Sequence, residues 1–304
     1  MRFNNLDLNL LVTLDALLTE QSISRAAEQL CLTQPATSNA LARLRDYFDD
    51  ELLVLVGRNM QLTPLAESLK DAVRDILQRV DTTIASRPQF DVGSSDREFR
   101  LIVSDYAVAT WVPHLFAVAT REAPNVRFTL MPQVIQPERV LDQGHADALA
   151  IPSILSSASH PKELLHTETF CCVAWKDSAI GRRGAISLAE YGAAKHVIMQ
   201  PPGGKSIDSR EVEAAGVQRK IVGVAYGFAM LPELVCGSDL IATVHRRLAE
   251  RAARLNPLTI MPCPVALTEM EQVIQWHKYR TRDPGLVWLR QAMHHAVRLM
   301  DGQD

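Results

Sequence analysis

Apolar residues over the first fifty positions recur at helical spacing in three successive segments. The first segment, Leu6–Thr19, reads as an apolar helix, and the second, residues 22–30, carries Ala26 and Ala27 on its inner face. Small side chains there allow another helix to cross closely. Thr33 stands where it can cap a third helix over residues 35–48. The pattern predicts two crossing helices joined by a short turn.

The third helix has two chemically different faces. A period of 3.6 places Thr37, Leu41, Leu44 and Phe48 on one buried stripe. Polar residues face the other way, among them Asn39, which can read adenine, and arginines, which can hold phosphate or guanine. This layout is typical of a helix-turn-helix, whose second helix enters a DNA major groove. The alternative is an ordinary three-helix bundle with a polar exterior. The expected DNA contacts are Ser24, Gln34, Pro35, Ser38, Asn39, Arg43, Arg45 and Arg58.

Two short apolar runs flank Gly57-Arg58-Asn59, and this spacing predicts a β-hairpin. A hairpin beside a helix-turn-helix is a wing, and Arg58 at its tip is placed to enter the minor groove. The segment is nevertheless acidic, with nine Lys or Arg against twelve Asp or Glu in residues 1–90. Weak non-specific attraction to DNA is expected, so two or more modules should bind together.

A long helix is predicted from Thr63-Pro64 to about Ser86, where Arg87-Pro88 stops it. Its apolar residues are spaced nearly as a heptad seam between charged flanks, which favours a dimerisation helix over one packed on its own domain. The seam consists of Leu65, Leu69, Val73, Ile76, Val80 and Ile84. A linker with Pro88 and Gly93 follows, through Ser95.

Beyond residue 95 short apolar strands alternate with helical segments. Strands are expected near 98–104, 126–131, 146–151, 167–175, 196–200, 218–222, 240–244 and 272–279, and helices near 107–121, 137–143, 207–215, from 228 and over 283–300. Strands with helical crossovers imply parallel sheets in an α/β fold. Two sets joined by extended crossings predict two lobes, and the ligand should bind in the cleft outside the carboxyl ends of the strands.

The sequence divides into residues 1–62 for DNA binding, 63–95 for the linker helix and hinge, and 96–304 for the two-lobed domain.

Neither a bilayer-spanning run nor a signal peptide is expected. The five cysteines show no C-x-x-C spacing, which suits reduced thiols in a cytoplasm. Cys171-Cys172 lies in an apolar strand, where alternation should send one thiol inward as a buried structural cysteine. Gly204-Lys205-Ser206 lacks the P-loop spacing, and the histidines are scattered. No catalytic residue, metal site or cofactor is predicted.

The N-terminal motifs resemble those of the LysR-type transcriptional regulators. The resemblance rests on Leu6–Leu11 and on the run Leu32–Leu41, and it is strongest to the subgroup of nodulation and aromatic-degradation regulators. Trp276-His277, Asp283-Pro284 and Trp288–Arg290 extend it almost to the C-terminus. The family fold implied is α/β: a winged helix-turn-helix, a linker helix and a periplasmic-binding-protein-like effector domain.

The resemblance also implies partners. They are promoter DNA, a second copy of the chain in a homodimer or homotetramer, RNA polymerase, and a small aromatic effector that activates transcription. The expected effector contacts are Ser104, Asp105, Tyr106, Pro152, Thr169, Gln200, Pro202, Gly204, Tyr226, Phe228, Arg247 and His277.

The effector class stays open. Sensors of the salicylate type carry histidines where this chain has Thr169 and Gly204. This departure favours phenols, hydroquinones or chlorinated aromatics. Two other functions remain as alternatives: a thiol-responsive regulator acting through Cys171 or Cys236, and an α/β enzyme fused to a DNA-binding domain.

Overall fold

The computed structural model describes residues 7–57, 59–84, 90–201 and 203–302, without the side chains of residues 8 and 81–84. The chain forms two compact units, Met1–Pro88 and Gln89–Asp304. The first unit includes both the predicted DNA-binding segment and the long helix that follows it, and the division between them at residue 62 stays a prediction. Within the described residues, no helix is both long and apolar enough to cross a membrane.

The first unit is a winged helix-turn-helix followed by a long helix. Its elements are α1 (Leu8–Glu20), α2 (Ile23–Gln29), α3 (Gln34–Phe48), β1 (Leu53–Val56), β2 (Asn59–Leu62) and α4 (Pro64–Ile84). Thr33 caps α3 as predicted, since its hydroxyl accepts a hydrogen bond from the backbone N–H of Ala36. Strands β1 and β2 pair antiparallel across the turn at Gly57, which has φ +66°. A left-handed conformation of this kind favours glycine.

The buried stripe of α3 agrees with the prediction. Thr37, Leu41 and Leu44 are buried, and Phe48 packs against the same core. Ala26 and Ala27 of α2 are also buried. Close approach of the two helices thus rests on small residues at the positions the sequence pattern indicated.

The predicted seam of α4 divides between two environments. Val73 is buried and Leu69 packs against the core of its own unit, while Val80 is half-buried. Leu65 and Ile76 are exposed. The Ile84 side chain lies outside the described residues. Part of the stripe is therefore buried inside the unit, because α4 packs along α1, and part is exposed.

The second unit has two lobes, and the chain passes from the first to the second and back. The first lobe begins with β3 (Glu98–Val103), α5 (Asp105–Ala109), α6 (Val112–Glu122), β4 (Arg127–Met131), α7 (Pro137–Asp142), β5 (Ala148–Pro152) and β6 (Lys162–Glu168). The second lobe contains β7 (Phe170–Trp175), α8 (Ala179–Arg183), α9 (Leu188–Ala193), β8 (Lys195–Met199), α10 (Ile207–Ala214), β9 (Lys220–Ala225), α11 (Leu231–Val235), β10 (Leu240–His245), α12 (Arg246–Ala253) and β11 (Leu258–Pro262). The chain then returns to the first lobe, where it forms β12 (Met270–Gln275) and α13 (Pro284–Met300).

Both sheets are mixed, so the prediction of parallel sheets was wrong in part. The strand orders are β4-β3-β5-β12-β6 and β11-β7-β10-β8-β9. Pairs joined by helical crossovers, such as β3 with β5 and β8 with β10, are parallel. Strands β12 and β7 run antiparallel to their neighbours, because each enters its sheet from the other lobe.

Several predicted boundaries also shift. The helix expected over 107–121 is broken at Thr110-Trp111 into α5 and α6, and the crossing expected over 167–175 is two strands separated by Thr169. The strand expected at 218–222 is β9, Lys220–Ala225. The helix expected from 228 begins at Leu231.

Candidate DNA-binding surface and effector site

The outward face of α3 presents the predicted polar residues to solvent. Its exposed members are Gln34, Pro35, Ser38, Asn39 and Arg43, and Ser24 on α2 is exposed as well. Their role in DNA binding stays a prediction. Arg58 lies outside the described residues.

Arg45 is already engaged within its own unit. Its guanidinium donates hydrogen bonds of 2.8 Å each to the backbone oxygens of Glu51 and Leu53, and it forms an ion pair with the Glu51 carboxylate at 3.1 Å. These bonds tie α3 to the start of β1. Arg45 was predicted from the sequence as a DNA contact, and this structural role was missed because the acceptors are backbone atoms of a later turn. A phosphate contact by Arg45 would have to coexist with these bonds.

The carboxyl end of β3 carries a contact between the two lobes. Ser104 caps α5 by accepting a hydrogen bond from the N–H of Ala107 at 3.2 Å. Asp105 Oδ2 accepts a hydrogen bond from the backbone N–H of Ala229 in the second lobe at 2.6 Å. The nearby Gly227 leaves space for this carboxylate, since a Cβ there would stand 2.3 Å from Asp105 Oδ2. The predicted cleft residues Ser104 and Asp105 thus lie where the lobes meet.

Tyr106 stands in a buried polar and aromatic cluster. Its hydroxyl donates to Glu168 Oε2 at 2.5 Å and lies 3.1 Å from His166 Nε2. Its ring stacks on His245 at 4.2 Å, and Phe228 meets the same imidazole edge-on at 4.4 Å. Tyr106 and Phe228, predicted independently from two lobes, are therefore brought together. His166, Glu168 and His245 were not predicted from the sequence, although His245 ends an apolar strand.

Burial sets the ionisation of this cluster. Desolvation is the largest cause of every pKa shift in the cluster. It lowers the pKa of His166 to about 4, and the charge of Arg247 acts in the same direction. It lowers the pKa of His245 to about 3, and the charge of His166 acts in the same direction. Desolvation also raises the pKa of the Glu168 carboxyl and of the Tyr106 phenol. The histidines are accordingly neutral at pH 7, and desolvation favours the uncharged forms of Glu168 and Tyr106.

Arg247 borders the cluster and a separate cavity. Its guanidinium donates to Thr167 O at 2.6 Å and pairs with Asp301 at 2.8 Å and Glu168 at 3.5 Å. Arg247 and the exposed Thr169 line a cavity of about 640 Å³. The rest of the wall is largely charged, with three further arginines and four carboxylates, two of which are Glu168 and Asp301. This charged lining is a poor match for the small aromatic effector that the family resemblance implies.

The other predicted effector residues are dispersed. Gln200, Gly204 and Tyr226 are exposed, with Tyr226 at 83% exposure, whereas Pro152 is buried at the end of β5. Pro202 lies outside the described residues. The structure places His277 away from the cleft. Because β12 runs antiparallel to β5, with Gln272 opposite Pro152, the residues after Gln275 lie at the amino end of β5.

The cysteines bear on the thiol alternative. Cys171 and Cys172 are both buried, one in the hydrophobic cluster on each side of β7, because this strand is covered on both faces. Burial raises the pKa of Cys171 to about 12 and also raises that of Cys236. A hydrogen bond from Cys172 lowers the pKa of Cys263 to about 7. The two thiols named from sequence are thus the poorer nucleophiles.

Comparison with known families assigns both units. The family model for bacterial regulatory helix-turn-helix proteins of the lysR family matches residues 8–67. The model for the LysR substrate binding domain matches residues 93–298.

Similar proteins span the whole chain. Nodulation protein D 2 of Rhizobium leguminosarum bv. phaseoli is 37% identical over 307 residues, covering 99% of this chain and 95% of that protein. Nodulation protein D 3 of Mesorhizobium japonicum is 38% identical, covering 96% and 98%. A probable transcriptional regulator from Pseudomonas aeruginosa has a similar structure, with a TM-score of 0.65, 26% identity and coverage of 95% and 97%. A full-length OxyR variant from Pseudomonas aeruginosa shares the fold, with a TM-score of 0.69, 16% identity and 95% coverage of each chain.

Proposed function

Because the chain belongs to the LysR family of bacterial transcriptional regulators, we propose that it activates transcription when a small aromatic effector binds between the lobes of its second unit. The observation that carries this proposal is the junction of the two lobes. There the Asp105–Ala229 hydrogen bond lies beside an aromatic cluster drawn from both lobes, with Tyr106 from one side and Phe228 and His245 from the other.

The DNA contacts follow from the exposed face of α3. Asn39 and Arg43 read base edges, and Ser38 and the helix N-terminus at Gln34 hold phosphate. Ser24 on α2 extends the contact along the backbone, and Arg58, which lies outside the described residues, enters the adjacent minor groove. The DNA-binding segment contains fewer Lys and Arg residues than Asp and Glu residues. Its affinity for DNA therefore depends on several copies binding adjacent sites.

Self-association supplies those copies. Leu65 and Ile76 are exposed on α4, at 37% and 41%, on the stripe that the heptad-like spacing marks. They form the α4 contact of a homodimer, and two dimers form the homotetramer. The assembly works in the cytoplasm, where promoter DNA and RNA polymerase are present.

The effector acts by selecting one arrangement of the lobes. Aromatic rings and a few hydrogen-bonding groups at the junction suit a phenol, hydroquinone or chlorinated aromatic. The effector must bind one arrangement better than the other, because equal affinity shifts no equilibrium. The new arrangement changes the spacing of the DNA-binding units and recruits RNA polymerase to genes for aromatic-compound degradation.

The test is a gel shift and footprint of the purified protein on the intergenic DNA upstream of its own gene. The assay is run at physiological salt with and without a panel of hydroxylated and chlorinated aromatics. A specific complex whose mobility and footprint change with one compound supports the proposal. A specific complex that no aromatic alters overturns the effector assignment. No specific complex under any condition overturns the assignment of the recognition face.

A thiol response is a second candidate, favoured by the lowered pKa of Cys263 beside Cys172. Peroxide or diamide would then change operator binding in the wild type but not in Cys263→Ser. Cys171→Ser and Cys236→Ser serve as comparisons, because burial raises both of their thiol pKa values. An unchanged oxidant response in all three variants excludes this mechanism.

A further inference from the structure

Three potential metal ligands converge at the end of the first lobe away from the lobe junction. Asp142 ends α7, His160 lies in the loop before β6, and His277 follows β12. One ligand atom from each side chain lies within 4.8 Å of the other two. Their separation in sequence is why the scattered histidines suggested no metal site.

The backbone around the two histidines is held in place by other contacts. The buried Gln275 amide donates to Ser157 O at 2.7 Å and to His160 O at 3.3 Å, and its oxygen accepts from Ser157 N at 2.9 Å. Trp276 N donates to Pro161 O at 3.4 Å. The loop that carries His160 is therefore fastened to the strand that carries His277, and the pair is positioned before any ligand binds.

The hydrogen bonding of His160 is incomplete. Its imidazole is almost wholly buried, with Nε2 2.9 Å from Asp142 Oδ1. Its Nδ1 is buried and has no hydrogen-bond partner among the described residues. A neutral ring that donates through Nε2 leaves a buried lone pair at Nδ1, and a protonated ring leaves a buried N–H there. Either form leaves one buried polar atom without a hydrogen bond. This costs free energy unless a ligand binds to that atom.

His277 presents a ring-nitrogen lone pair at this end of the lobe. Its Nδ1 accepts a long hydrogen bond of 3.3 Å from the backbone N–H of Tyr279. A ring nitrogen that accepts a hydrogen bond has its lone pair on that atom. A metal would bind to this lone pair in place of the long contact to Tyr279.

We propose that Asp142, His160 and His277 bind one divalent transition-metal ion, with Zn²⁺ as the best chemical match. Two imidazole nitrogens and one carboxylate oxygen suit Zn²⁺, whereas Mg²⁺ and Ca²⁺ prefer oxygen ligands. Both histidines are buried, but the Asp142 side chain is 42% exposed, which gives the ion a path from solvent and leaves room for a water ligand. The ion fastens α7, the loop before β6 and the segment after β12 to one another.

The experiment measures binding to the full-length protein after treatment with a chelator. Zn²⁺ is titrated by calorimetry, and the bound metal is counted after equilibrium dialysis, with Mg²⁺ as the comparison ion. The variants are Asp142→Asn, His160→Gln and His277→Gln. His145→Gln is the matched control, because His145 is exposed on the segment that follows α7.

We expect the wild type and His145→Gln to bind one equivalent of Zn²⁺ and not Mg²⁺. Each of the three ligand variants should lose more affinity than the roughly 10–100-fold that loss of an outer-shell partner costs. Co²⁺ in place of Zn²⁺ should give visible bands without the near-ultraviolet charge transfer of a thiolate ligand, which separates this site from the cysteines.

Absence of Zn²⁺ binding in the wild type overturns the proposal, as does a thiolate spectrum with Co²⁺. Binding that survives in Asp142→Asn also overturns it. Asp142→Asn is the decisive variant because its side chain is partly exposed and keeps its shape, and circular dichroism checks that it folds. The outcome does not depend on whether the protein responds to an aromatic effector.

Discussion

Asp105 accepts a hydrogen bond of 2.6 Å from the backbone of Ala229, and this bond joins the first lobe of the effector domain to the second. The same carboxylate occupies the space that a side chain at Gly227 would need. Glycine at this position therefore lets the lobes approach, and the carboxylate holds them together once they have done so.

The first prediction concerns this junction. Gly227→Ala places a methyl group against the carboxylate and separates the lobes, so the effector concentration for half-maximal response should rise about tenfold or more, equivalent to ~1.4 kcal/mol. The measurement is an effector titration of promoter activation. Gly93→Ala is the control, because a Cβ there makes only an ordinary contact of 3.9 Å. An unaltered response in Gly227→Ala would exclude a functional role for lobe approach at this point.

The second prediction concerns Asn39, which is exposed on the recognition helix. Asn39→Ala removes a bidentate donor and acceptor, so discrimination between the operator and a mutated operator should fall by about 1–3 kcal/mol. Binding to non-specific DNA should change little. Competitive gel shifts measure both quantities, with Asp46→Ala on the same helix as the control. Equal losses on specific and non-specific DNA would instead assign Asn39 to the phosphate backbone.

The third prediction concerns Arg45, whose guanidinium binds two backbone oxygens at the start of the wing. Arg45→Met keeps much of the side-chain length but removes these donors. The loss should destabilise the wing by about 1–3 kcal/mol, the range for hydrogen bonds to charged groups. Hydrogen exchange of peptides covering residues 51–62 should become faster, whereas the same change at exposed Arg43 should leave exchange unaltered. Unchanged exchange in Arg45→Met would leave DNA contact as its main role.

The fourth prediction concerns Arg247, which connects the interlobe crossing at Thr167 to Asp301 after α13. Arg247→Ala breaks this connection and removes the cation that pairs with the buried Glu168. The effector response should be abolished while operator binding stays within about twofold, equivalent to ~0.4 kcal/mol. Arg247→Lys should restore part of the response, because it retains the charge but not the fork of donors. A matching loss of operator binding would point to a folding defect.

The fifth prediction concerns pH. The pKa of His166 is lowered to about 4 and that of His245 to about 3, so both rings stay neutral in the folded protein while the unfolded chain takes up protons below about pH 6.5. The free energy of unfolding should therefore fall as the pH drops from 6.5 to 5, by about 1.4 kcal/mol per pH unit for each histidine. The raised pKa of Glu168 acts in the opposite direction and offsets part of this fall.

Tryptophan fluorescence can follow that unfolding, because all four tryptophans lie in the second unit, at positions 111, 175, 276 and 288. His245→Phe keeps a ring between Tyr106 and Phe228 but cannot titrate, so the pH slope should decrease. Exposed His145→Gln should retain the wild-type slope. Identical slopes in all three proteins would show that His245 is not neutral in the native state.

The first unit was predictable from sequence to a large extent because its signals are local. The cap at Thr33, the alanines of α2 and the buried stripe of α3 all depend on residues within one helical turn or one short loop of each other. Arg45 escaped prediction because its acceptors are backbone atoms, which leave no mark on residue type.

The second unit was less predictable because its strands come from distant parts of the chain. Strand periodicity gives the presence of β12 but not its insertion between β5 and β6, so the antiparallel pairs were missed. The burial of both Cys171 and Cys172 has the same origin, since a strand covered on both faces shows no alternation. Glu168 and His166 were missed because a buried carboxyl and imidazole are recognised only by the partners that surround them.

The position of β12 also means that the sheet of the first lobe can be completed only after the second lobe has been synthesised. Strand β12 pairs with both β5 and β6, yet the ribosome makes the whole second lobe before residue 270 emerges. The second lobe can complete its sheet first. Until β12 is made, β5 and β6 have unpaired strand edges, which can pair incorrectly with other chains. A nascent chain stalled before β12 would thus hold a finished second lobe and an open first lobe, and that open edge is where a chaperone would be needed.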